Sequence, residues 1–352
     1  MTGVGEVIGC IIYGFLADRF GRKFSWFLSA GIMFVAGMMS AFSFHPYMSI
    51  VARLLMGTST TGMYNIGFLM GAELFPPKQR TFFSTGGEMM WSLGVTSMAL
   101  IGYFIRDSFW LTIFITLPTL AIIPFWWFLE ESIHWNISKG RTDEVKKQFR
   151  KMAKFNKVKL DEALVSEMLD DDVMREAELI RSRHSLRSDH DKHDSEPLNR
   201  QSSQKVLEKE GVRFWDLFLT PRIRYISFAL TCLWLANTLC YYGLQMAAEL
   251  IKNVNFFMSF FILAVVEVPS IIITMPCMIW LGRKTSVILF QVIAGISLLL
   301  VAFLPLVLPE GQELILLGMA AFGKFAVCCS FSKFILIEPT CFTIFSPFQL
   351  SF

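Results

Sequence analysis

Ionisable side chains within otherwise apolar runs are this sequence's clearest candidates for chemistry, and four of them stand out. They are Arg53, Glu88, Glu267 and Lys324. A charge near the centre of a bilayer costs roughly 2.5–3.5 kcal/mol on insertion scales, so such groups normally face a cavity or a partner. The pattern therefore predicts either binding of a charged ligand or pairing between helices.

Glu267 is the best candidate for a ligand cavity, because it stands two residues before a proline in a valine-rich run. An interhelical ion pair or hydrogen bond without ligand contact is an equal alternative. Lys324 is predicted either to pair with such an acid or to contact a substrate. Glu88 follows two glycines, which indicate tight packing, and Arg53 lies near the start of its run.

Three aromatic residues add possible ligand contacts. Trp234, Tyr241 and Tyr242 offer ring faces that attract a bulky organic cation by roughly 0.5–2 kcal/mol each or stack on an aromatic anion. For the tyrosines, which lie near a helix end, an interfacial aromatic belt is the other interpretation.

The composition indicates a membrane protein rather than a soluble enzyme. Of 352 residues, 54% are hydrophobic and only 17% are charged. The net charge of +3 is small and its cations gather in short turns, which argues against a nucleic-acid partner. No spaced nucleophile, base or Cys/His ligand cluster is present, so we expect no enzyme, cofactor or metal site.

The apolar runs are long enough to be transmembrane helices, which need roughly 20 residues each. Eight runs qualify, and residues 1–17 form a shorter ninth. The eight are 24–43, 47–72, 82–105, 109–129, 222–246, 254–281, 286–304 and 312–337.

The connections between these runs alternate between basic and nearly uncharged. The basic ones contain Arg19, Arg22 and Lys23, then Lys78 and Arg80, then a long polar segment, then Arg283 and Lys284. By the positive-inside rule, the basic connections are cytoplasmic.

Two of the basic turns are copies of each other. F-G-R-K at 20–23, around Gly21, matches L-G-R-K at 281–284, around Gly282, and six runs separate them. Such a repeat in one orientation is typical of a transporter built from two parallel halves. If each copy follows the second helix of its half, the first helix and the last two of twelve are predicted to be absent.

The long polar connection spans residues 130–221. A helix is predicted to begin at Thr142, and a second one is predicted near 160–180. Residues 181–204 are too polar to bury a core and are predicted to be disordered.

The motifs together resemble the major facilitator superfamily, and within it the organic cation and organic anion transporters. The match rests on G-x-L-A-D-R-x-G-R-K at 14–23, R-L-L-M-G at 53–57, E-L-F-P-P-K-Q-R at 73–80, S-K-G-R at 138–141, Y-Y-G-L at 241–244, V-E-V-P at 266–269 and F-G-K-F at 322–325. Two regions depart from it. Residues 130–135 read E-E-S-I-H-W where the family has P-E-S-P-R-W, and the match ends after Ser332.

The resemblance implies a charge latch at the cytoplasmic surface that closes when the cavity faces outward. Its members are Asp18, Arg19, Gly21, Arg22, Lys23, Glu73 and Arg80, with Gly282, Arg283 and Lys284 in the second copy of the turn. The alternative is that these basic turns only fix topology.

The sequence thus predicts an all-α, multi-pass membrane protein of the major facilitator fold, with about nine of twelve transmembrane helices, at the plasma membrane. The predicted parts are an N-terminal bundle (1–129), a cytoplasmic loop (130–221), a partial C-terminal bundle (222–337) and a divergent tail (338–352). The predicted function is alternating-access transport of small organic cations, zwitterions or anions. The alternative is a truncated chain that does not transport, either inactive or modulating an intact relative by association.

Overall fold

In a computed structural model, the described residues are 1–75, 77–185, 221–250, 256–304 and 313–345. These ranges are helical and contain no strand, which confirms the predicted all-α fold class. The prediction of disorder for residues 181–204 is wrong for 181–185, which form the end of the helix Glu162–Ser185, and residues 186–204 lie outside the described ranges. The last seven residues of the predicted tail lie outside them as well.

The helices of the described ranges, in chain order, follow the predicted runs closely. They are α1 (Thr2–Phe20), α2 (Arg22–Ala41), α3 (Pro46–Leu74), α4 (Pro77–Phe104), α5 (Ser108–Thr116), a 3-10 helix (Leu117–Ile122), α6 (Phe125–Phe128), α7 (Ile133–Ser138), α8 (Thr142–Asn156), α9 (Glu162–Ser185), α10 (Pro221–Leu250), α11 (Phe256–Val265), α12 (Glu267–Leu281), α13 (Arg283–Phe303) and α14 (Glu313–Phe345).

Five segments of the described chain are long and apolar enough to cross a membrane. They are Arg22–Ala41, Ser108–Phe128, Phe256–Thr274, Thr285–Phe303 and Leu314–Phe331. The remaining predicted runs coincide with α1, α3, α4 and α10. In the second segment, Pro118 and Pro124 interrupt the helical hydrogen bonding, because proline has no backbone N–H to donate.

The chain forms two compact units. Unit 1 comprises Met1–Leu74 and Thr116–Ala229, and unit 2 comprises Phe75–Ile115 and Leu230–Phe352. The predicted bundles follow chain order, whereas α4 packs in unit 2 against α11, α12 and α14. A segment that the sequence assigns to the first bundle therefore contributes side chains to the second unit.

In unit 1, α3 packs against both α1 and α2. The approach of α1 and α3 is close enough that a Cβ on Gly5 would collide with the backbone of Leu54, and one on Gly57 with the backbone of Thr2. Small residues at such contacts let helices pack backbone to backbone without a hydrophobic driving force.

The helices between the two halves of the sequence form a small cluster of their own within unit 1. Ile137 of α7, Val145 of α8, and Leu169 and Val173 of α9 are all buried together. Helix α8 begins at Thr142 and α9 covers the second predicted stretch, so both predicted helices are confirmed.

In unit 2, α14 packs against α4, α11, α12 and α13. Its apolar core includes Leu244 of α10, Leu263 of α11 and Val327 of α14, all fully buried. Polar and charged side chains lie within this otherwise apolar unit, and they form the site described next.

Candidate functional site

A buried ion pair between Glu267 and Lys324 lies at the centre of unit 2. The Nζ of Lys324 is 3.2 Å from the Oε1 of Glu267, and the two side chains are 0% and 2% exposed. Of the charged residues that the structure describes, only these two and Glu88 are buried. Of the two interpretations, the structure shows the ion pair between Glu267 and Lys324.

Three further side chains complete what we call the Glu267 cluster, defined as Glu267, Lys324, Tyr241, Gln245 and Ser92. The hydroxyl of Tyr241 donates to Oε1 of Glu267 at 2.9 Å, and that of Ser92 donates to Oε2 at 3.2 Å. The ammonium of Lys324 donates to Oε1 of Gln245 at 2.5 Å. Each charged group thus has hydrogen-bond partners besides its counter-ion, which is the condition under which a buried ion pair is tolerated.

The ammonium also lies over an aromatic ring. Lys324 Nζ is 3.4 Å from the ring centroid of Tyr241, well within the range of a cation–π contact. Tyr241 therefore contacts both charged groups: its hydroxyl donates to the Glu267 carboxylate, and its ring face lies against the Lys324 ammonium.

A break in the helix places Glu267 in the interior. Helix α11 ends at Val265 and α12 starts at Glu267, whose first turn contains Pro269. Proline is tolerated in a first turn because the N–H it lacks would have no helical partner there. Glu267 thus occupies the first position of α12, where the helix dipole favours a negative charge.

The other cavity candidates lie around the cluster or away from it. Glu88 is 7% exposed and lies one turn before Ser92 on α4. Trp234 packs edge-on against Phe331, with ring centroids 5.2 Å apart.

Tyr242 and Arg53 do not join the cluster. Tyr242 is 53% exposed, with its ring against that of Tyr241, and Arg53 is exposed on α3 of unit 1. Both retain their sequence-based predictions, which the geometry leaves untested.

The Glu267 cluster can bind a charged group through its carboxylate or its ammonium. Among the described residues, no group of three or more His, Cys, Asp or Glu side chains is arranged to hold a metal ion. A bound ion would have to exchange partners with the buried pair, because each charge is already compensated within the protein.

A second polar site lies in unit 1 at the charged turn between α1 and α2. We call it the Arg22 cluster, defined as Arg22, Glu73, Glu131 and Ser132. Arg22 forms an ion pair with Glu73, and its Nη1 donates to the Ser132 hydroxyl at 3.0 Å. That hydroxyl donates in turn to Glu73 at 2.5 Å.

Glu131 caps α2 from a distant part of the chain. Its Oε1 accepts from the backbone N–H groups of Arg22 and Lys23 at 2.8 and 3.0 Å. These are first-turn donors without intrahelical partners, and a carboxylate at this end also interacts favourably with the helix dipole.

Trp135 fixes the start of α7 to the same turn. Its indole Nε1 donates to the backbone carbonyl of Asp18 at 3.1 Å, and Arg141 lies 5.0 Å from its ring centroid. The cations flanking the turn contact other rings. Arg19 lies 5.6 Å from the Phe20 ring and Lys23 lies 4.7 Å from the Trp126 ring.

Replacing Glu131 tests its capping role. We expect Glu131→Ala to lower the free energy of unfolding by about 1–2 kcal/mol, because two first-turn donors of α2 lose their acceptor. Glu131→Gln keeps an acceptor oxygen and should lose less. The measurement is thermal unfolding of the purified protein in detergent, followed by tryptophan fluorescence.

The neighbouring acid provides the matched control for this prediction. Glu130 pairs with the exposed Lys151 at 2.5 Å, and exposed pairs contribute about 0–1 kcal/mol. Glu130→Ala should therefore leave the unfolding transition nearly unchanged. A loss as large as that of Glu131→Ala would show that charge alone, rather than capping, matters at this turn.

The predicted latch residues are only partly brought together. Arg22 and Glu73 meet directly, Gly21 borders Glu131, and Asp18, Arg19 and Lys23 contact the surrounding turn. The side chains of Arg80, Arg283 and Lys284 are not among those the structure describes. Gly282 has a positive φ of 75°, as Gly21 does at 105°.

Several site residues escaped the sequence analysis. In the sequence, Glu131 and Ser132 belong only to a motif that departs from the family pattern, yet both bind Arg22 in the structure. Ser92 and Gln245 gave a weaker signal, which was their spacing of four residues from Glu88 and Tyr241 on the same helices.

The helical fold and its long apolar segments define an all-α, multi-pass membrane protein. Residues 1–196 match the family described as sugar (and other) transporter. This match covers more than half of the chain, and the chain belongs to that family, within the major facilitator superfamily.

The curated relatives include an organic cation transporter-like protein and members of solute carrier family 22. An organic cation transporter-like protein of Drosophila melanogaster is 27% identical over 328 residues, covering 93% of this chain and 54% of the relative. Solute carrier family 22 member 6-A of Xenopus laevis is 29% identical over 329 residues, covering 93% and 53%. The chain thus spans about half the length of the curated relatives it matches.

A solved structure with the same fold is the partially occluded inward-open form of the xylose transporter XylE from E. coli. It matches with a TM-score of 0.65 at 15% identity, covering 96% of this chain and 72% of that one. This similarity establishes the fold alone.

Proposed function

We propose that this protein moves small organic ions across a membrane by alternating access, without converting them chemically. The observation that carries the proposal is the buried Glu267–Lys324 pair with its three polar partners in unit 2. Buried charges in membrane helices are costly and typically mark substrate or ion pathways. Similarity to organic cation transporters and to solute carrier family 22 members supports the same class of cargo.

The pair provides a way to bind and release an ion without leaving a bare charge in the interior. A substrate cation approaching Glu267 would displace Lys324, which keeps Gln245 and the Tyr241 ring as partners. When the substrate leaves, the pair closes again. In both states the Glu267 carboxylate therefore faces a positive charge, which is either the substrate or Lys324.

The buried charges favour a substrate that carries a positive group. Unit 2 buries two carboxylates, Glu88 and Glu267, and one ammonium, Lys324, among its described residues. Organic cations and zwitterions therefore fit this interior better than organic anions do. Trp234 and Tyr242 are retained as candidate aromatic contacts.

We assign the Arg22 cluster a structural part in transport. It fastens α7 to the ends of α2 and α3 within unit 1, so these elements move as one body when the cavity changes access. Gating by Asp18, Arg19, Lys23, Arg80, Gly282, Arg283 and Lys284 follows from the resemblance alone and remains part of the proposal. A plasma-membrane location is consistent with the solute carrier relatives.

A second candidate function is suggested by the extent of the matches, which is about half of each curated relative. In this alternative, the chain does not transport alone and instead associates with another copy or with a longer relative. Co-expression with such a relative would then change the rate at which the relative takes up substrate, whereas cells expressing this chain alone would show no uptake.

Uptake of labelled organic cations and anions into cells expressing the 352-residue chain separates the two functions. Surface biotinylation controls for the amount of protein at the plasma membrane. We expect saturable uptake of cations that Glu267→Gln reduces at least tenfold at equal surface level. Good surface expression of the wild-type chain without uptake of either ion class would contradict transport by this chain.

A further inference from the structure

Helix α10 presents three polar side chains at a spacing of four residues. They are Asn237, Tyr241 and Gln245. Four residues along an α-helix rise about 6 Å and return to nearly the same face, so these side chains form one row. Two members of the row, Tyr241 and Gln245, bind the buried ion pair directly. Asn237 is therefore the next position on the face that holds the Glu267 cluster.

Asn237 differs from the other two members because both polar atoms of its amide lack a partner among the described residues, whereas Gln245 lacks one only at Nε2. The residue is 1% exposed, yet neither its Nδ2 nor its Oδ1 has a hydrogen-bond partner among the described residues. Buried side-chain amides are paired in the large majority of cases, and each exception calls for an explanation. A leucine or threonine would fill this position without leaving two polar atoms unsatisfied.

The surroundings of Asn237 on α10 combine aromatic and charged groups. Trp234, almost one turn earlier, packs its ring against Phe331 of α14. Tyr241, one turn later, reaches Glu267 and Lys324. The amide thus lies on the helix between an aromatic contact and the ion pair, and it offers one donor side and one acceptor side.

We propose that Asn237 is a hydrogen-bonding subsite for an uncharged polar group of the transported ion, such as a hydroxyl. The inference rests on the proposed function and deepens it by specifying the substrate. The charged group binds at the Glu267–Lys324 pair, which Tyr241 contacts, and the polar group binds at Asn237, one helical turn (about 6 Å) from Tyr241 along α10. A hydroxyl suits the amide because it both donates and accepts.

Two synthetic cations that differ by one hydroxyl test the subsite. They are (4-hydroxybutyl)triethylammonium, with its oxygen about one helical turn from the charge, and butyltriethylammonium. Binding of each labelled probe to the purified full chain in nanodiscs gives a ratio of dissociation constants. We expect the wild-type chain to bind the hydroxylated probe about tenfold more tightly, and Asn237→Leu and Asn237→Ala to bring that ratio close to one.

Control variants and unfolding temperatures separate binding from structure. Thr238→Val changes an exposed neighbour on α10 and should keep the wild-type ratio. Without ligand, Asn237→Leu should unfold no earlier than the wild type, because the side chains are similar in size and no hydrogen bond within the described protein is lost.

Three results would overturn the inference. Equal wild-type affinity for the two probes would overturn it and leave the proposed transport intact. Asn237 variants that unfold several degrees earlier and keep the tenfold ratio would assign the residue a structural role. No binding of either probe would overturn it together with the cation preference in the proposed function.

Discussion

Lys324→Met is expected to destabilise the protein by about 3–5 kcal/mol, one of the two largest effects we predict for single substitutions. The change removes the counter-ion of Glu267, whose side chain is only 2% exposed, and leaves a carboxylate buried without its positive partner. Glu267→Gln should also lower the free energy of unfolding, because it leaves the ammonium of Lys324 buried without its negative partner. Unfolding of the purified chain in mixed micelles measures both losses.

The double variant Glu267→Gln with Lys324→Met provides the decisive comparison. It removes both charges but keeps an amide oxygen that can accept from Tyr241 and Ser92. We expect it to recover most of the stability that either single variant loses, since a neutral pair of similar size avoids the desolvation cost. Losses that simply add would contradict direct pairing of the two residues.

Gly21→Ala is the second substitution with a large expected effect, about 2–5 kcal/mol from two sources. Gly21 has φ 105° and ψ 156°, a conformation that is essentially restricted to glycine, and straining it costs about 1–3 kcal/mol. A Cβ there would also collide with the Glu131 carboxylate, which caps α2, and losing such a cap costs about 1–2 kcal/mol.

Gly282→Ala is the matched control for this prediction, because it lies in the second copy of the same turn. Gly282 has φ 75° and ψ 160°, but a Cβ there would meet no atom within 4 Å in the described part of the chain. Its replacement should therefore cost only the backbone strain of about 1–3 kcal/mol. Thermal unfolding in detergent compares the two variants, and equal losses would contradict the capping role of Glu131.

The fold was predictable to a large extent because transmembrane helices satisfy their backbone hydrogen bonds locally. Each predicted apolar run corresponds to described helix, and the predicted starts of α8 and α9 agree with the structure to within two residues. The placement of α4 in unit 2 was not predictable in this way. The position of α4 depends on which helices it packs against, and the hydropathy of the sequence does not specify those helices.

The two sites were predictable in kind but not in full. Glu267 and Lys324 stood out because charges are rare in apolar runs, and pairing was one of two interpretations. Glu131 did not stand out, because it lies 109 residues from Arg22 in a region where charges are common. Ser92, Gln245 and Asn237 are ordinary polar residues of long helices, and only packing reveals that they face the same interior.

Counterflow in proteoliposomes tests the central claim most directly, since it requires one binding site that opens alternately to each side. Purified chain is reconstituted into vesicles preloaded with unlabelled butyltriethylammonium, and entry of the labelled cation is followed. We predict transient accumulation of label above equilibrium for the wild-type chain, and none for the folded Glu267→Gln, Lys324→Met double variant. Absence of accumulation with wild-type protein that binds the cation, or equal accumulation by the double variant, would contradict the account.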